Sequence, residues 1–298
     1  LAVVVHVGRG DGVDLLVEAS IGVVISGIHG DDSATLLQRA DVAMYAAKNQ
    51  GGGVAAYDVN SDQHTTERLA LRGRLRRGMA LGELFLDYQP KVSLCTVNVT
   101  GVEALLRWQN PLRGLVPPGE FIPIAEHTAL IVPLTHFVLD TALAQARAWA
   151  DAGHRIPVAV NISARNLLDE SFARQVYELL RRHQIAGDLL VLEVTESAIM
   201  LKPNTVSHVL HQLRDLGVRI AIDDFGAGYT SLGQLKNLPI SGLKIDKSFV
   251  LNMHKHDVAV IVRSVIELGH NLGLSVVAEG VETAAAAIAL SGYRCDIA

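Results

Sequence analysis

The chain has 298 residues, of which 49% are hydrophobic and 19% charged, a composition typical of a globular protein and not of a disordered one. Its formal net charge of −5 gives no general polyanion-binding signal, so DNA and RNA polymers are not expected partners. Its two cysteines, Cys95 and Cys295, do not have the spacing of a metal site. The sequence has no uncharged apolar run of about 18 residues, so a membrane span is not predicted.

The first region, residues 1–58, predicts a small α/β unit. It contains a β-rich run, ASIGVVIS, and then a helical pattern that Asp32 or Ser33 can cap and that the glycines at 51–53 end. A short strand, VAAYD, closes the region. The chain starts without Met and without a signal peptide, so we expect the natural N-terminus to lie upstream.

Residues 59–80 are polar and charged and predict a linker helix, whose apolar positions are Leu69, Leu71 and Leu75. From residue 81 to residue 298, short apolar strands alternate with longer helical segments, which indicates a parallel α/β architecture. The predicted strands are LFLDYQP, VNVTGVEALLRW, IPVAVNIS, LLVLEVT, VRIAIDD, GLKID and LSVVAEG.

The number of strands favours a TIM-like (β/α)₈ barrel over an open doubly wound sheet. An eighth strand begins at CDIA and is truncated where the sequence stops, so we expect an open barrel seam with exposed strand edges. No GxGxxG motif follows the first strand, which argues against a dinucleotide-binding domain.

Polar side chains follow the predicted strands, at or near their carboxyl ends. They are Glu103, Asn161, Glu193, Asp223, Asp224, Lys244, Asp246 and Glu279. In a barrel the carboxyl ends of the strands meet at one rim, where active sites form. A single acid there is often only a helix cap or a salt-bridge partner, but a ring of acids has no purpose in a barrel core.

Acidic side chains gathered in one site repel each other unless cations neutralise them. Carboxylate and amide oxygens suit Mg²⁺ or Mn²⁺, whereas none of the 12 histidines falls on these strand ends to favour zinc. The pair Asp223-Asp224 suggests that two ions share the site, which is the usual device for phosphodiester cleavage. The sequence therefore predicts a two-ion centre.

The segment IDDFGAGYTSLGQL predicts a loop after the Asp223-Asp224 strand, because Gly226 and Gly228 permit unusual backbone angles. Such a loop could open and close the site, and an ordinary turn between strand and helix is an equally good interpretation.

These segments also carry a family resemblance. EALLRW at 103–108, YQPKVSL, FIPIAE, NISARNL, LEVTES, IDDFGAGYTSL, LKIDKSF and VVAEGVET resemble, in order, the sequence blocks of EAL domains. The resemblance extends from Leu84 to Asp296. It implies hydrolysis of cyclic di-GMP to linear pGpG, with Mg²⁺ or Mn²⁺ as cofactor.

The resemblance also implies a role for each residue. The metal ligands it implies are Glu103, Asn161, Glu193 and Asp223, with Asp224 for the second ion. The catalytic set is Glu103, Lys244, Glu279 and Glu196: Lys244 positions or deprotonates the attacking water, or serves as a counter-ion. Glu196 tethers the loop that contains Gly226. The substrate contacts are Gln89 to guanine, Arg107 to phosphate, and Asp246.

Residues 1–58 resemble the C-terminal part of a GGDEF domain, although the GGDEF motif itself is not in this chain. The resemblance leaves open a homodimer, an upstream sensor, and a cytoplasmic catalytic region with a membrane anchor upstream. Two alternative functions stay open. One is a weak or inactive EAL domain that senses cyclic di-GMP, and the other, a generic sugar or phosphate enzyme, has no motif support.

Overall fold

A computed structural model of the protein describes residues 20–49, 53–58, 71–126, 128–226, 235 and 237–298. The chain divides into two compact units, Leu1–Arg77 and Gly78–Ala298. The finer division into residues 1–58, 59–80 and 81–298 stays a prediction, because residues 59–70 lie outside the described part of the chain.

Within residues 20–58, the first unit has a helix between two parallel strands. These elements are β1 (Ser20–Val23), α1 (Ser33–Asn49) and β2 (Gly53–Ala56). As predicted, Asp32 caps α1, since its Oδ1 accepts a hydrogen bond of 2.9 Å from the Thr35 N–H. A Cβ on Gly22 would lie 1.9 Å from the Ala40 carbonyl oxygen, so glycine allows β1 to approach α1.

The second unit is built on a curved sheet. Among the described residues, this sheet has eight strands. The strands are β3 (Leu84–Val92), β4 (Val99–Asn110), β5 (Gly114–Val116), β6 (Val158–Ile162), β7 (Leu190–Thr195), β8 (Arg219–Phe225), β9 (Gly242–Ile245) and β10 (Ser275–Ala278). Their order is β10-β9-β8-β7-β6-β4-β3, with β5 paired to β4. All seven strands that the sequence predicts are therefore present.

Helices follow most of these strands, as in a (β/α) barrel. The described helical segments are α2 (residues 71–81), α3 (Pro118–Glu126), α4 (Ile131–Asp151), α5 (Ala164–Leu167), α6 (Phe172–His183), α7 (Glu196–Met200), α8 (Pro203–Asp215), α9 (Lys247–Asn252), α10 (His256–Asn271) and α11 (Ala284–Gly292). None of the described helices combines the length and the apolar character that crossing a membrane requires.

Among the predicted strands, one pair departs from the parallel arrangement, and the short strand β5 is also antiparallel to β4. β4, β6, β7, β8, β9 and β10 pair in parallel, but β3 pairs antiparallel with β4, and Gln89 lies opposite Glu103. The physical reason is the short connection at 93–98, because a parallel crossover needs about a dozen residues or more. In this turn Val97 adopts a positive φ of 57°, and the Thr96 N–H donates to Ser93 Oγ.

The expectation of an open barrel seam is wrong. Ile297 forms bridges to Ser93 on the β3 side and to Val277 on β10. Val92 and Ala298 exchange two backbone hydrogen bonds, of 2.8 and 2.9 Å. A short extended segment thus joins the two edges of the sheet, so that their backbone groups at this level are paired.

Capped helices begin at or shortly after the carboxyl ends of four strands, at the same rim of the barrel. The capping side chains are Ser163 before α5, Thr195 before α7, Asp246 before α9 and Thr283 before α11. Because each oxygen accepts a hydrogen bond from the first turn of its helix, the chain is fixed where it leaves the sheet. The polar side chains at the strand ends therefore stand on rigid supports.

Candidate active site

Lys244 on β9 lies at the centre of an acidic cluster. Its Nζ is 2.5 Å from Glu279 Oε1, 2.6 Å from Glu193 Oε2, 3.1 Å from Asp223 Oδ1 and 3.3 Å from Glu103 Oε2. The side chains of Lys244 and Glu193 are 1% and 0% exposed. One buried ammonium group thus holds together carboxylates from β4, β7, β8 and the end of β10.

An amide completes this cluster from a neighbouring strand. β6 lies between β4 and β7, and Asn161 pairs in register with Glu193. The Asn161 Nδ2 donates a hydrogen bond of 2.8 Å to Glu103 Oε1. This bond leaves the amide oxygen of Asn161 available beside the carboxylates.

The sequence analysis missed a second lysine in the cluster. Lys91 on β3 donates a hydrogen bond to Glu193 Oε1, and its Nζ is 4.0 Å from Glu103 Oε2. Its signal in the sequence was available: Gln89 and Lys91 are two residues apart on one strand, so their side chains share a face. Lys91 lies at the carboxyl end of β3, but β3 is antiparallel to β4, so this end lies beside the amino end of β4 and its contact with the cluster could not be predicted.

Burial and the two lysines act differently on the two central glutamates. Burial raises the pKa of Glu103, but Lys244, Lys91 and the Asn161 amide together hold that pKa below its ordinary value. Burial is more complete at Glu193, and the pKa of Glu193 is raised although both lysines oppose this. The difference is consistent with the stronger desolvation of Glu193.

Burial and neighbouring charges also act in opposite directions on the pKa values of Lys244 and Glu279. Burial lowers the pKa of Lys244, but the carboxylates of Glu193, Glu103, Asp223 and Glu279 raise it well above the ordinary range, so Lys244 holds its proton. Burial raises the pKa of Glu279, although Lys244 opposes the shift. The cluster therefore contains a protonated lysine, one glutamate whose ionisation is favoured, Glu103, and two whose ionisation burial opposes, Glu193 and Glu279.

A second group of acids lies at the end of β8. Carboxylate oxygens of Asp223, Asp224 and Glu279 lie within 4.8 Å of one another. Asp224 has a φ of 53°, and its N–H donates to Asp223 Oδ1 at 3.0 Å. Burial, then the charges of Asp223 and Asp246, raise the pKa of Asp224. The left-handed backbone turns two consecutive carboxylates toward the same region.

An open cavity of about 640 Å³ lies over the cluster. Its walls include Gln89, Glu103, Lys244 and Glu279. Its size suits a ligand of several rings, and its polar floor would orient one.

Comparison with known proteins identifies this arrangement. The family described as EAL domain matches residues 72–298. The chain belongs to the EAL domain family. It is 42% identical over 286 residues to MucR of Pseudomonas aeruginosa, named a bifunctional diguanylate cyclase/cyclic di-GMP phosphodiesterase, with 95% of this chain and 42% of MucR covered.

A second relative and a solved structure agree with this assignment. The chain is 38% identical over 274 residues to the cyclic di-GMP phosphodiesterase PdeR of Escherichia coli, with 91% of this chain and 41% of PdeR covered. It therefore spans about two fifths of MucR and PdeR. A structure of the PaMucR phosphodiesterase in complex with c-di-GMP superposes with a TM-score of 0.74 at 44% identity, covering 76% of this chain and 93% of that chain. The TIM-like barrel of the EAL family is thus the fold of the second unit.

The donor set of this EAL domain fits hard divalent cations. Carboxylates and one amide oxygen converge from separate strands, and the acidic group at Asp223, Asp224 and Glu279 contains oxygen ligands only. Such ligands suit Mg²⁺ or Mn²⁺ better than a soft metal.

The three predicted substrate contacts occupy different places in the EAL domain. Gln89 faces the open cavity. Arg107 lies further along β4, where its Nε donates to Asp87 Oδ2 at 2.8 Å. Asp246 accepts hydrogen bonds from the Ser248 N–H, at 2.9 Å, and from the Ser248 hydroxyl, so its demonstrated contact is a helix cap. Their roles toward substrate stay predictions.

Glu196 begins α7 and is 5% exposed. The loop that it is predicted to tether, DDFGAGYTS, continues after Gly226 into residues that lie outside the described part of the chain, and the prediction stays open.

Proposed function

We propose that this chain hydrolyses cyclic di-GMP to linear pGpG with divalent cations, Mg²⁺ or Mn²⁺. The observation that carries the proposal is the convergence of Glu103, Glu193, Asp223 and Glu279 on Lys244 under an open cavity. Such a concentration of buried charge is costly to stability and is typical of functional sites.

The proposed ligands of one cation are Glu103, Asn161, Glu193 and Asp223, and Asp224 would serve a second cation. The short distances within this set support the assignment. When bound, the cations would supply Lewis-acid charge to the phosphodiester. We propose that the site binds two cations.

Lys244 acts in this proposal as a positioning cation. The surrounding carboxylates raise the pKa of Lys244 in the metal-free chain, so its Nζ carries a positive charge there. With cations bound, Lys244 would position or deprotonate the attacking water. Its hydrogen bonds to Glu103 and Glu193 orient the two carboxylates. Glu279 forms an ion pair with Lys244 and would complete the site through a water molecule or a cation.

The proposed substrate contacts are Gln89, Arg107 and Asp246. Gln89 would bind a guanine edge, Arg107 would contact a phosphate of the substrate, and Asp246 would also contact the substrate. Glu196 would support the neighbouring loop. Support for Gln89 is its place in the cavity wall, and support for Arg107 is that its side chain shares a strand face with Glu103.

Relatives support catalysis over sensing. MucR and PdeR are both named cyclic di-GMP phosphodiesterases, and the chain retains each acid and amide proposed here. A weak or inactive EAL domain that only senses cyclic di-GMP is not favoured, because such a module would have no need of an intact acidic cluster.

Residues 1–58 form, in our proposal, the C-terminal part of a GGDEF domain, joined through a linker at 59–80 to the EAL domain at 81–298. Support comes from the β1-α1-β2 unit and from the match to MucR, which extends beyond the EAL region. A homodimer and an upstream sensor remain proposals of the same kind.

The test is to incubate the full chain with cyclic di-GMP and Mn²⁺ or Mg²⁺ and to follow pGpG by chromatography. We expect pGpG to accumulate with either ion and to stop when EDTA is added. Binding of cyclic di-GMP without pGpG formation would instead favour the sensor, and absence of both would contradict the proposal.

A further inference from the structure

Lys91 brings a second cation into the acidic cluster, and the function proposed above gives it no role. Its side chain is 15% exposed, and its Nζ binds Glu193 Oε1, whose side chain is fully buried. Glu103 Oε2 lies 4.0 Å from the same Nζ. Lys91 therefore contacts two of the proposed cation ligands.

The two lysines divide the oxygens of Glu193 between them. Lys91 takes Oε1, and Lys244 takes Oε2 at 2.6 Å. A dication that approaches Glu193 meets a carboxylate already bound by ammonium groups on both sides. At such short range in a partly buried site, like charges repel strongly.

The surroundings hold Lys91 in this place. Its side chain lies between the open cavity and a smaller cavity of about 110 Å³ beneath it, since it lines both. The charged residues described in the lining of the lower cavity are Lys91, Glu193 and Arg219, so Glu193 is the carboxylate available there.

We propose that Lys91 sets the affinity of this site for divalent cations: its ammonium group occupies Glu193 Oε1 and weakens the binding of a dication to the cluster. The inference rests on the proposed metal-dependent function. A purely orienting role makes the opposite prediction, because an unsupported Glu193 would bind a cation less well.

The experiment measures Mn²⁺ binding to the full chain by isothermal titration calorimetry, after removal of metal with EDTA and exchange into clean buffer. The neutral variants are Lys91→Met, which keeps the length of the side chain, and Lys91→Gln, which can still donate to Glu193. Lys91→Arg keeps the charge. Lys255→Met removes one charge from an exposed position before α10 and controls for net charge.

We expect both neutral variants to bind Mn²⁺ about tenfold more tightly than the natural chain, or better. Lys91→Arg and Lys255→Met should stay within about threefold of it. A neutral variant that folds only with Mn²⁺ present would also support the inference, because the dication then replaces the missing charge.

If the natural chain binds Mn²⁺ and the neutral variants bind it equally or more weakly, the inference about Lys91 is overturned but the proposed function is not. Failure of both neutral variants to fold with or without Mn²⁺ would also overturn it, because the ammonium group would then be a structural requirement. A natural chain that binds no Mn²⁺ would overturn the inference and the proposed function together.

Discussion

The Lys244 Nζ and Glu193 Oε2 form a 2.6 Å ion pair in which neither side chain is more than 1% exposed. We expect Lys244→Met to destabilise the metal-free protein by about 3 kcal/mol, because it leaves buried carboxylates without their shared cation. Urea unfolding in EDTA measures this change. Lys202→Met, at an exposed position, is the control, and equal stability of the two variants would contradict the central role of Lys244.

The pH dependence of that loss follows from the direction of the Lys244 pKa shift. Because the folded-state pKa lies above its ordinary value of 10.5, the stabilisation is complete below that value and is lost only at higher pH. The difference between the natural chain and Lys244→Met should therefore not vary through the titration of Lys244 between about pH 6 and pH 9. A difference that collapsed in this range would show that Lys244 loses its proton there.

Glu103→Gln should reduce pGpG formation by at least about a hundredfold, because it removes a charged ligand of the proposed cation while keeping the acceptor for Asn161. Chromatography of the product measures the rate. Glu267→Gln, which alters an exposed ion pair with Arg263 on α10, should leave the rate unchanged. Near-normal turnover by Glu103→Gln would contradict the ligand assignment.

Asp224→Asn should raise the thermal midpoint of the metal-free protein at pH 7 while abolishing turnover. The pKa of Asp224 is raised, so its ionisation above the ordinary value of 3.8 disfavours the folded state, and asparagine removes that penalty. Asparagine also tolerates the φ of 53°. The gain should vanish as the pH falls toward 3.8, and a gain that grew in acid would refute this account.

Calcium should inhibit pGpG formation supported by Mn²⁺. Ca²⁺ accepts the same oxygen ligands, but its longer and looser coordination does not reproduce the geometry of the smaller ion. Initial rates at fixed Mn²⁺ with increasing Ca²⁺ test this. Rates that stay constant in excess Ca²⁺ would count against a cation held by Glu193 and Asp223.

Ile297→Pro should destabilise the barrel by about 3 kcal/mol, because it removes the N–H that donates to the Val276 carbonyl oxygen. Urea unfolding compares it with Ile297→Ala, which keeps that donor and should cost less. Equal losses in the two variants would mean that the backbone bond contributes nothing to closure.

Site residues could be predicted from polar positions at the carboxyl ends of apolar strands where the strands run in parallel. Glu103, Asn161, Glu193, Asp223 and Lys244 were located from their positions after apolar runs, and the parallel register brings them together. The physical basis is simple, since buried parallel strands are strongly apolar and a polar residue at their end is easily seen.

The same reasoning failed where the direction of a strand, or a contact between residues far apart in the sequence, could not be inferred from the local sequence. Lys91 lies on the antiparallel strand β3, so its approach to Glu193 depends on tertiary pairing and not on its place at a strand end. The closing contact between Ile297 and Ser93 likewise joins distant parts of the chain. No local sequence pattern predicts either of these two contacts.

The hydrogen bonds between Val92 and Ala298 also constrain when the barrel can form. A ribosome must release almost the whole EAL region before these two residues can meet. Until then the edges of β3 and β10 present unpaired backbone groups, which invite wrong partners. Such long-range closure is slow because the entropy of a large loop is lost before the contact is gained. The nascent chain therefore passes through an interval in which protection from aggregation matters most.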